Sequence, residues 1–149
     1  MLRLAIEFSP DIWIELTEAP VDGQSIERVR ASSLGQAQKI TARAQLPVFI
    51  DVRAHISDTS VQAFAEFEEV RPDWRPGALT GEIVHPGTGR SLAGLIWDIW
   101  AARVADGVTL RSDVPAALLS QVLETVVPEL EARGIRFRVS HRSPALAAA

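Results

Sequence analysis

Three ionisable side chains at two-residue spacing, Asp51, Arg53 and His55, are the densest concentration of potential chemistry in this chain. They alternate with Val48, Ile50, Val52, Ala54 and Ile56. In a β-strand that alternation sends the apolar set to one face and Phe49, Asp51, Arg53 and His55 to the other. Same-face neighbours along a strand lie about 7 Å apart, near enough for a polar binding face or a salt-bridged network. The other role open to them is a half-exposed sheet face on which Asp51 and Arg53 pair in solvent. Arg111, just past the strand-like residues 107–110, is a fourth ligand-binding candidate, with pairing to Asp113 as its alternative.

The segment HPGTG, residues 85–89, leads into an apolar helix over 91–103. Amides at a helix N-terminus attract anions and glycines let a phosphate come close, so Gly87, Thr88 and Gly89 are cofactor-binding candidates. The alternative is a tight turn capped by Thr88 or Ser91. Trp97 and Trp100 share a face of that helix and are candidate anchors of a subunit interface; core packing and stacking on a cofactor ring are their other uses. His55, His85 and His141 show no metal-ligand spacing, so no metal is expected. The chain has no cysteine, which excludes disulfides and thiolate chemistry. No GxSxG nucleophile elbow is present.

The elements that must position these residues alternate between strand and helix. Residues 2–8 and 11–16 read as strands, 19–23 as a turn and 30–44 as a helix capped by Ser32 or Ser33, with Leu34, Ala37, Ile40 and Ala44 inward. After the strand 48–56, Asp58 is the expected cap of a helix to about residue 70, with Val61, Phe64 and Ala65 facing inward. A proline-rich break follows at 71–77, then a strand over 78–84. Residues 115–133 form the last helix, capped by Asp113, bent or split by Pro128 and stopped by Gly134. A short strand-like stretch covers 135–139. Such alternation predicts an α/β fold with mainly parallel strands and crossover helices.

The 149 residues suit one domain, taken as 1–140 with a tail at 141–149. The net charge of −4 argues against a nucleic-acid partner, which requires a basic face. Glu7, Asp11 and Glu15 interrupt any signal-peptide core, and no apolar run reaches membrane-spanning length. A cytoplasmic protein is expected.

The stretch 100–138 carries a specific combination: Ala105, Asp106, Gly107 and Val108, then Pro115, then Val126 to Leu130 reading Val-Val-Pro-Glu-Leu, then Arg133 and Gly134. In order and spacing it resembles the closing strand–helix unit of the luciferase-like flavin-dependent monooxygenases, including the nitrilotriacetate monooxygenase branch. Residues 42–67 resemble the preceding unit. The resemblance implies a partial, half TIM-barrel-like fold, since a full barrel needs about 250 residues. It also implies flavin or small-ligand binding at the strand C-termini, with FMN or a related reduced flavin as cofactor and oxygen insertion as the chemistry. A half barrel is expected to leave apolar edges that call for cover, hence a homodimer or docking to a larger luciferase-like subunit. The alternative function is a non-catalytic accessory or binding protein that kept the scaffold and lost the active site.

Overall fold

The computed structural model describes residues 1–18, 25–77 and 80–138. The turn expected at 19–23, the start of the strand expected at 78, and His141 with the tail lie outside them.

Six strands form one curled, half-barrel sheet: β1 (Arg3–Ser9), β2 (Ile12–Glu15), β3 (Glu27–Val29), β4 (Val48–Ile56), β5 (Ile83–Gly87) and β6 (Gly107–Arg111). The order is β2-β1-β6-β4, and the far side of β4 is shared by β3, against residues 48–50, and β5, against 52–56. Every pairing is parallel except the β1–β2 hairpin. The α/β, mainly parallel expectation therefore holds. Strand β3 was not anticipated, because three residues reading Glu-Arg-Val carry no periodic signal.

Of four helical stretches, three join strands and the last follows β6. They are α1 (Leu34–Arg43), α2 (Ser60–Val70), α3 (Gly89–Ala101) and the pair α4 (Pro115–Gln121) and α5 (Val127–Glu131), joined by a π-helical turn at Val122–Val126. One face of the sheet is apolar, through Leu4, Ile6, Ile50, Val52, Val108 and Leu110. Leu92, Ile96 and Ile99 of α3, with Leu118, Val122 and Leu130, pack into the same core. Each such buried side chain contributes roughly 1.5–3 kcal/mol, so this face holds the fold together.

Helix α2 behaves differently. Its cap is Thr59, whose hydroxyl accepts the Gln62 amide, rather than Asp58, which sits one residue too early to reach it. Ala63 and Phe67 are its buried residues, while Val61 is 82% exposed. The inward set is thus rotated from the expected Val61, Phe64 and Ala65. The cause is that α2 lies on the opposite sheet face: the Phe67 ring sits 6.3 Å from His55, and His55 alternates with core-facing Ala54 and Ile56. The crossover β4-α2-β5 runs outward from β6, and β5-α3-β6 runs back across β4. Two right-handed crossovers in opposite directions must place their helices on opposite faces.

Pro128 acts one turn earlier than its own position. It has no N–H, and its ring crowds the carbonyl four residues back, so the ladder widens over Val122–Val126 and the Val127 amide reaches the Val122 carbonyl. Asp113 does not cap α4; the cap position is Val114, with no side-chain bond. The expected strand at 135–139 is reduced to one bridge, Thr17 to Phe137. The expected strand at 78–84 lies instead at Ile83–Gly87.

Helix α3 ends through Arg103, the single non-glycine residue with positive φ (58°) among the described residues. A left-handed side-chain-bearing residue costs roughly 1–2 kcal/mol. Arg103→Gly is expected to raise stability by about 0.5–1 kcal/mol, read as a higher urea midpoint with unchanged m. A lowered midpoint would show that the exposed Arg103 side chain makes a compensating contact.

Candidate binding crevice

The face opposite the core carries Arg3, Ala5 and Glu7 of β1, Gly107, Thr109 and Arg111 of β6, and Phe49, Asp51, Arg53 and His55 of β4. Asp51 is 4% and Arg53 8% exposed, so the idea that they pair in solvent fails on burial. They do not pair with each other either. Arg53 donates from Nε to Glu82 (2.8 Å) and from Nη1 to Asp113 (3.1 Å). Arg111 donates from Nε to Glu7 and from Nη1 to Glu82, each at 2.9 Å, rather than to Asp113. Asp51 accepts from Arg28 at 3.1 Å, with Arg30 at 3.6 Å and Arg111 at 4.0 Å. Arg71 closes the far end on Asp113 at 2.8 Å.

Asp51, Arg53 and Arg111 are thus brought into one ionic network. His55 stands beside it, held at 3.3 Å from Glu66, which also accepts from the Ser57 hydroxyl. Glu7, Arg28, Arg71 and Glu82 were not singled out as site residues, and Asp113 was expected only as a helix cap or a partner of Arg111. Glu7 was legible as the residue alternating with Ile6 and Phe8; Arg28 and Glu82 fall in segments without a periodic pattern.

Electrostatics in the network have a readable consequence. The Arg71 guanidinium holds the Asp113 carboxyl below its usual range against the opposing effect of burial, with Arg53 assisting. Burial pushes Glu7 up, but hydrogen bonds from Arg111 and Arg28 outweigh it and the net shift is downward. Glu66 is lowered by its bond from Ser57 and then by His55. Carboxyls depressed in the folded state stabilise it fully above their unfolded values, near 4, and lose that contribution as pH falls through the folded values. Burial likewise lowers His85 from its usual value near 6.5, so stability by urea unfolding is expected to be level above about pH 7, to fall gently below about pH 6.5 as the unfolded histidine takes up its proton, and to decline more steeply below about pH 4. A flat profile down to pH 3 would show that the network contributes nothing.

The chain leaves β4 onto the charged face through α2 and leaves β6 onto the core face through α4. Adjacent parallel strands whose connections part in this way open a crevice at their C-terminal ends, the usual ligand position in open α/β sheets. A cavity of about 110 Å³ lies there, lined by Arg53, His55, Phe67, Val70, Asp113 and Val114 among others. A larger one of about 290 Å³ shares Arg53, Phe67 and Val70 and extends beneath α2 toward β5, where Trp74, Glu82 and Val84 line it.

Gly87, Thr88 and Gly89 lie elsewhere, at the start of α3. Thr88 and Ser91 cap each other's amides. A Cβ on Gly89 would collide with Thr125, and one on Gly87 with Ser91. Both glycines are explained by tight packing, and the amides left for a phosphate are those of Gly89 and Arg90. Trp97 and Trp100 make an edge-to-face pair at 5.2 Å, half-buried against the core, with Arg133 over Trp97. Among the described residues no group of three or more His, Asp or Glu is placed to hold a metal ion, and no helix is long and apolar enough to cross a membrane.

No protein-family model matches the chain, and no curated protein matches it in sequence. A solved structure does share its architecture. That structure is long-chain alkane monooxygenase (LadA). The likeness has a TM-score of 0.52 at 16% identity over 79% of this chain, and is therefore one of fold. The chain spans 38% of the length of LadA.

Proposed function

We propose that this protein is a relative of the luciferase-like flavin-dependent monooxygenases that binds a small organic ligand in the crevice beneath α2, on the charged face of β4 between β5 and the end of β6. The observation that carries the proposal is the coincidence there of a change in crossover direction, a cavity and the buried Arg53. The fold likeness to a monooxygenase agrees with the resemblance in sequence, whose nitrilotriacetate monooxygenase branch is the finer assignment. We place the protein in the cytoplasm, as a homodimer or bound to a larger luciferase-like subunit, with Trp97 and Trp100 as anchors.

FMN or a related reduced flavin is the cofactor the resemblance implies, and the residues present fit it poorly. The cavity is at the lower limit of ligand clefts, which run from about 300 to 1,000 Å³. The α3 N-terminus is closed over by Thr125. Asp51, Arg53 and Arg111 are engaged with ionic partners, so none stands free as an acid, a base or an anion clamp. These features favour a binding or accessory role over oxygen insertion by this chain alone. The test is titration with FMN, followed at 450 nm and by flavin fluorescence, with gel filtration alongside. A colourless protein that takes up no flavin is the expected result; a stoichiometric yellow complex would establish the flavoenzyme reading instead.

A further inference from the structure

The same crevice specifies what kind of molecule it accepts; this step rests on its being the binding site. Arg53 is 8% exposed, and its Nε and Nη1 are engaged by Glu82 and Asp113. Its Nη2, with two hydrogens, has no partner among the described residues. Nor is it sealed away: the side-chain nitrogen that is both buried and unpartnered is Nη1 of Arg3. Since Arg53 lines both cavities, an unspent donor pair opens onto them. A charged donor pair on a largely buried side chain gives a ligand oxygen a charge-assisted hydrogen bond.

The walls define the rest of the molecule. Phe67, Val70, Trp74 and Val84 are apolar, and Trp74 is fixed by Phe64 at 5.7 Å and by Phe67 at 5.0 Å. Charge then separates two classes of oxygen. The charged side chains lining the larger cavity, Arg53, Arg71, Asp73 and Glu82, cancel, and Glu82 and Asp113 both stand on the Arg53 guanidinium, so a ligand carboxylate there would meet like charges with no net positive field to offset them. A carbonyl meets the donors without that repulsion.

We propose that the crevice binds a neutral, single-ring-sized organic molecule whose ketone or amide oxygen accepts from Arg53 Nη2 and whose apolar body packs against Trp74, Phe67 and Val84. The test uses the intact chain and three probes of equal bulk, acetophenone, benzoate and ethylbenzene. Nuclear magnetic resonance follows the Trp74 indole N–H and the Arg53 side-chain N–H. Acetophenone is expected to shift both signals and to bind at least tenfold tighter than either other probe. Val84→Trp, which fills the cavity, should abolish the shifts, and Val61→Trp on exposed α2 surface should not. Val84→Phe serves if the first variant does not fold. Equal or tighter binding of benzoate, or equal binding of ethylbenzene, overturns the carbonyl assignment and leaves the crevice standing as the site. Failure of all three probes to shift crevice residues at millimolar concentration overturns both.

Discussion

Glu82→Leu is expected to lower the unfolding free energy by about 3–5 kcal/mol, the range found when one member of a buried ion pair is removed. Glu82 accepts from Arg53 at 2.8 Å and from Arg111 at 2.9 Å, and all three side chains are at least four-fifths buried. Without the carboxylate, two guanidinium groups face each other across a low-dielectric gap with no anion between them. Glu82→Gln keeps one acceptor and should cost less, about 1–3 kcal/mol. Urea unfolding at pH 7 with an unchanged m-value measures both. A loss below about 1 kcal/mol for the leucine variant would mean that water already screens the network.

Phe49→Ala should cost a similar amount, about 3–5 kcal/mol, for a different reason. Phe49 is fully buried on the charged face. Its ring meets the edge of Trp13 at 5.4 Å and carries the Arg3 guanidinium at 4.9 Å. The neighbouring strand makes room for it: a Cβ on Gly107 would come within 2.9 Å of the ring and 3.0 Å of the Arg3 carbonyl. Gly107→Ala alone is therefore expected to overpack the site by about 1–3 kcal/mol. In Phe49→Ala/Gly107→Ala the new methyl enters the vacated space, so the double variant should be less destabilised than the two losses added together, by roughly 0.5–3 kcal/mol. Strict additivity in the cycle would show that the glycine is required by the Arg3 backbone and not by the ring.

The apolar face was readable because its alternation is strict. Every residue of the set Val48, Ile50, Val52, Ala54 and Ile56 is buried, as are Leu2, Leu4 and Ile6. Ser33 and Gly134 were readable because capping and left-handed stops depend on local geometry alone. The site was half readable. Asp51, Arg53 and Arg111 do share a network, but their partners Glu7 and Arg28, on β1 and β3, and Glu82, just before β5, are brought alongside only by the sheet order, which no local pattern encodes. The same limit explains α2. Its composition allows either Val61 or Phe67 to face inward, and the choice is made by which side of the sheet the crossover takes. Gly89 illustrates a third case: a glycine before a helix suggests an anion, whereas the space its missing Cβ leaves is taken by Thr125 from a turn 36 residues away in sequence.

The hairpin at the start of the chain has a further consequence for how the molecule is made. Arg3 lies opposite Gly107 and Ile6 opposite Leu110, so β1 pairs with a strand made about a hundred residues after it. At about 5–20 residues per second, β1 waits on the order of 5–20 s for its parallel neighbour, with Leu2, Leu4 and Ile6 still lacking their cover. Only β2 is within immediate reach, and an isolated two-stranded hairpin is marginal in water. Maturation is thus governed by closure of the long loop between β1 and β6, and chaperone demand should concentrate on the emerging β1–β2 hairpin.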